Sequence, residues 1–143
     1  MGQKGESHEG LTSPKERAIN RTDWSTSHAS RRQGVSRAAS KEQDVQTFAR
    51  ELCGPRQADV REFCDSYGVK RETWHLQPGP FGSQGIVITE VEDVVPAARA
   101  YADAQQPFHR WFKDEILRIS GIDPNVDPLG PPSTQVFAWP PAA

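Results

Sequence analysis

TWHLQPGPFGSQGIVITEV, residues 73–91, carries the signature of a β-hairpin. In Thr73-Trp74-His75-Leu76-Gln77 successive side chains alternate, so Trp74 and Leu76 share one face while Thr73, His75 and Gln77 share the other. Residues 78–85, PGPFGSQG, hold only turn and loop chemistry between two strand-forming runs. Ile86-Val87-Ile88-Thr89-Glu90-Val91 is β-branched throughout, as in a strand buried on both faces until Glu90. An antiparallel hairpin follows.

The flanks read as helices. Upstream, Ser40 and Gln43 make a Ser-x-x-Gln capping pattern, and Val45, Phe48, Ala49, Leu52 and Cys53 recur at helical spacing behind it. Gly54-Pro55 interrupts the stripe, which resumes at Val60, Phe63, Cys64 and Tyr67 and stops at Gly68. Downstream, Asp93 caps a helix with Ala97, Ala98, Tyr101 and Ala102 on its inner face. After Gln105-Gln106-Pro107 the stripe becomes Phe108, Trp111, Phe112, Ile116 and Ile119, closed by Gly121, with His109 and Arg110 off it and toward solvent. Thr134–Trp139 is a final strand, and the weakly alternating Gly34–Ala39 a first one. The resulting βαββαβ order is that of an α+β ferredoxin-like domain. Helices cover one face of such a sheet. Apolar residues on both strand faces therefore predict a homodimer, each chain half of a dimeric α/β barrel.

Composition divides the chain. Residues 1–40 carry seven Lys/Arg against four acids, residues 41–143 ten against fifteen. The first stretch has few apolar residues and no period, so residues 1–33 read as a disordered tail and 34–143 as the domain. A net charge of −2 excludes the basic surplus of a general nucleic-acid binder. No apolar run approaches the roughly 18 residues of a membrane span, and the N-terminal MGQKGESHEG lacks the apolar core of a secretory signal. Cytoplasmic residence is expected. On one helix, Cys53 and Cys64 stand about 16 Å apart, beyond the roughly 7 Å of a disulfide. They read as small core residues in a reducing compartment. Neither zinc spacing nor a nucleotide fingerprint is present, so no cofactor is expected. Asp123-x-Asn125-x-Asp127 opens like a calcium loop, but Pro128 and Thr134 break that pattern, which leaves acids in a Pro-rich turn.

The stretches RELCGPRQADVREFCDSYGVKRETWHLQ, GIVITEVED, QQPFHRWFKDEILRISGID and PPSTQVFAW together resemble a family of small bacterial proteins. Trp74-His75-Leu76-Gln77, Glu90-x-x-Asp93 and Pro107-Phe108-x-x-Trp111-Phe112-Lys113 are the most specific pieces. The resemblance covers roughly residues 41–139. It implies a dimeric α/β barrel, similar in fold to the antibiotic-biosynthesis monooxygenases, and no settled reaction.

Two functions fit these residues. One is a dimeric barrel that binds a small apolar ligand, with Trp74, Gln77 and Trp111 lining its pocket, or that serves as a structural or accessory protein. The other is a cofactor-independent monooxygenase or isomerase acting on an aromatic or polyketide-like molecule. There His75 and Glu90, facing each other across the hairpin, would abstract a proton, the carboxylate raising the imidazole's basicity. An ordinary cross-strand polar pair explains the same two residues.

Overall fold

Apolar residues spaced three and four apart build the helical layer. Val45, Phe48 and Leu52 are buried along α1 (Arg31–Cys53), and Phe63 along α2 (Gln57–Ser66). Val94, Ala97 and Tyr101 are buried on α3 (Val94–Asp103), and Phe112 and Ile119 on α4 (Pro107–Ser120). The computed structural model describes residues 16–23, 31–130, 132–134, 136–137 and 139–140, with side chains from Lys41 onward. It is an α+β structure with the element order β1 (Glu16–Asp23), α1, α2, β2 (Val69–Gln77), β3 (Gln84–Val91), α3, α4, β4 (Pro132–Thr134). The strands form one antiparallel sheet in the order β2-β3-β1-β4. Among the described residues no helix is long and apolar enough to cross a membrane.

Several boundaries follow the local chemistry. Gly68 (φ 78°) and Gly121 (φ 76°) adopt the left-handed conformation that ends a helix without steric cost. The Asp93 carboxylate accepts from the Val95 N–H at 3.0 Å, closing the start of α3.

Other boundaries differ from the sequence reading. Gly34–Ala39 is helix and not strand, and Ser40 lies inside α1, not at its start. Ala38, Ala39 and three arginines favour helix, and no stop signal separates them from the Val45 stripe. The first strand instead occupies residues 16–23, within the segment assigned by composition to a disordered tail. It sits between β3 and β4, in register from Arg17↔Glu90 to Asp23↔Gln84. Backbone pairing on both edges, which composition does not report, places it there. Of the rest of the predicted tail, residues 31–33 open α1, and residues 1–15 and 24–30 lie outside the described residues. The last strand among the described residues, β4, pairs with β1 from Glu16↔Thr134 to Ala18↔Pro132. The final strand, expected over Thr134–Trp139, covers Pro132–Thr134 among the described residues, and Val136, Phe137 and Trp139 are exposed.

The hairpin register divides the sheet into two faces. Glu72, Trp74 and Leu76 stand opposite Thr89, Val87 and Gly85, on the side where Trp74 meets Phe48 and Phe112 of the helical layer. Arg71, Thr73, His75 and Gln77 stand opposite Glu90, Ile88, Ile86 and Gln84, and none of these eight is buried.

α4 is enclosed more widely than its stripe suggests. His109, expected in solvent, is only 4% exposed and stacks on Phe63 at 4.4 Å. Lys113 is 2% exposed, and its ammonium donates to the carbonyls of Ala102 and Ala104, both at 2.8 Å, and to Asn125 Oδ1 at 3.0 Å. It thus ties the end of α3 to the following loop. The apparent calcium motif serves this contact, because Asp123 Oδ1 accepts from both the backbone and the amide N–H of Asn125 and aims it at Lys113.

Candidate functional site

Alternation along β2 places a carboxylate on the helix-facing side, two residues before Trp74. Glu72 turns this group between sheet and helices, where Trp74 Nε1–H donates to Oε1 at 2.8 Å. Thr89 Oγ1 donates to Oε2 at 2.9 Å, and the Tyr67 hydroxyl donates to the same oxygen at 3.4 Å. Each donor comes from a different position in the fold: the same strand, its neighbour β3 and the end of α2.

An apolar cavity of about 70 Å³ adjoins this carboxylate. Phe48, Trp74, Tyr101, Phe112 and Ile116 form its walls, and the loop bearing Pro124, Pro128 and Leu129 borders it. Burial pushes the Glu72 carboxyl above its usual range, against the opposing pull of Trp74, Thr89 and Tyr67. Burial and then the Glu72 charge raise Tyr67 and Tyr101, and the same causes bring the Cys64 thiol up to about 11. A thiol so raised stays protonated at neutral pH and is a poor nucleophile. Cys53, expected in the core, is exposed, and both cysteines are free.

The residues singled out from sequence fall apart in space. His75 stands opposite Ile86 and Glu90 opposite Arg71, so they share a face but lie four residues apart along β2 and do not face each other. His75 Nε2 lies 3.2 Å from Thr73 Oγ1. Of the three pocket candidates, Trp74 lines the cavity. Gln77 is exposed at the end of β2. Trp111 lies outside the cavity lining, half-buried under the Arg56 guanidinium, 3.9 Å from its ring centroid, and against Phe48. Sequence reasoning missed Glu72, Tyr67 and Thr89 as a unit. The signal was available, since Glu72 is in phase with Trp74 and Leu76 on the apolar side of its strand.

Among the described residues no group of three or more His, Cys, Asp or Glu is placed to hold a metal ion. No family model, curated protein or solved structure matches the chain.

Proposed function

We propose that this chain is a ferredoxin-like, small-molecule-binding protein whose ligand enters the cavity beside Glu72. One observation carries the reading: an open apolar space meets a buried carboxyl that still has acceptor capacity. Sites for small ligands combine mainly apolar walls with a few placed polar groups, and this cavity has that composition. Its volume corresponds to roughly five water-sized positions, which sets the scale of the occupant at about five heavy atoms. Saturable binding of a molecule of that size, isobutanol or isobutylamine, tests the reading, and no saturable binding of either overturns it.

The same proposal includes pairing of two chains through the uncovered sheet face, as the resemblance to dimeric barrels implies. Ile86 and Ile88 on that face are left half-buried by the chain itself, and a second copy would complete their burial. Sedimentation equilibrium is expected to give twice the 15.9 kDa of one chain. A single-chain mass at micromolar concentration contradicts it.

A further inference from the structure

We propose that the Glu72 cavity selects a small organic ammonium, a short or branched alkylamine with its charged nitrogen against Glu72 Oε1. The proposal rests on the cavity being a ligand site and adds the charge of its occupant. Three features point to it.

The first is the state of hydrogen bonding. A carboxylate offers about four lone-pair sites; among the described residues Oε2 takes Thr89 and Tyr67, whereas Oε1 takes Trp74 alone. One acceptor position remains, and it asks for an N–H or O–H donor. The second is charge. All three of these donors to Glu72 are neutral, and among the described residues no lysine or arginine lines the cavity. No ion pair among the described residues includes Glu72. Asp127 adds a second acid to the lining, and among the described lining residues His75 alone is able to carry positive charge, exposed on the far face of its strand. A buried negative charge without a cation is costly, and an incoming ammonium would supply the missing partner. The third feature is the wall itself. Phe48, Tyr67, Trp74, Tyr101 and Phe112 surround the space with aromatic rings, whose faces attract a desolvated cation while their area covers its alkyl group.

The competing occupant is a neutral alcohol, which satisfies the open lone pair but not the charge. Isobutylamine, protonated at pH 7.5, and isobutanol are close in shape and differ mainly in that charge. Binding of both to the full chain, measured by NMR titration at matched ionic strength, is expected to favour the amine by about tenfold. Glu72→Gln is expected to lower the amine to the level of the alcohol. Equal or weaker binding of the amine by the wild-type chain overturns the ammonium proposal and leaves the cavity reading standing. Tighter amine binding that survives Glu72→Gln also overturns it. If neither compound binds, both readings fail together. Should the variant not fold, the wild-type ranking alone decides.

Discussion

Lys113 and Glu72 are both enclosed by this fold, and they are treated in opposite ways. Lys113 spends its three N–H donors on three oxygens, Ala102 O, Ala104 O and Asn125 Oδ1, all within 3.0 Å. Glu72 is held by three donors as well, yet one oxygen remains underused and the residue lines an apolar space. The first group is a tie between α3, α4 and the loop after α4. The second is a candidate for binding. A buried charge alone is therefore not a site; what separates the two is unused hydrogen-bonding capacity next to room for a ligand.

The contrast breaks most sharply on substitution. Lys113→Met keeps the buried stem but takes a charged donor from three acceptors at once, and is expected to cost about 3 kcal/mol in urea unfolding. Glu72→Gln keeps the shape and an acceptor for Trp74 while removing a buried charge, and is expected to change stability by about 1 kcal/mol or less. Equal costs at the two sites would mean that Glu72 is as much a structural tie as Lys113.

A smaller effect separates the two regions by pH. Burial, together with the Lys113 charge and against Glu62, lowers His109 below its ordinary value, so the unfolded chain takes up a proton first. That contribution is complete above about pH 6.5 and is lost as pH falls below it. Glu72 runs the other way. Its folded value is raised, so its contribution is fully present below the unfolded value and is lost as pH rises through the folded one. Thermal midpoints of the wild-type chain are expected to fall between pH 7.5 and 5.5, and those of His109→Gln to fall less. Near pH 4.5 and just above, Glu72→Gln is expected to lose stability on acidification faster than the wild-type chain. Parallel curves for all three chains would remove both assignments.

How far the sequence reached follows the same line. The hairpin, the α1–α2 break at Gly54-Pro55, the Asp93 cap and the Gly68 and Gly121 stops are local, and local chemistry displayed them. β1 is not local: its residues, ERAINRTD, gain their place from backbone pairing with β3 and β4. The buried flank of α4 is equally hidden, because His109 and Lys113 are polar and enter the interior through partners on α2, α3 and the loop after α4. At the site, Trp74 was legible as an inward aromatic. Glu72 escaped because the predicted strand began at Thr73, one residue too late to put that carboxylate in phase with Trp74. The His75–Glu90 pairing required a register that no single strand specifies, and the observed register sets them apart.

The most direct measurement follows two probes while the full chain is titrated with isobutanol and then with isobutylamine: the Trp74 indole N–H and the backbone amide of Lys113. A saturable shift at Trp74, with Lys113 unmoved, is the result expected if the space beside Glu72 is open to a ligand and the Lys113 tie is closed. No shift at Trp74 with either compound, or shifts of equal size at both probes, would contradict the distinction on which the account rests.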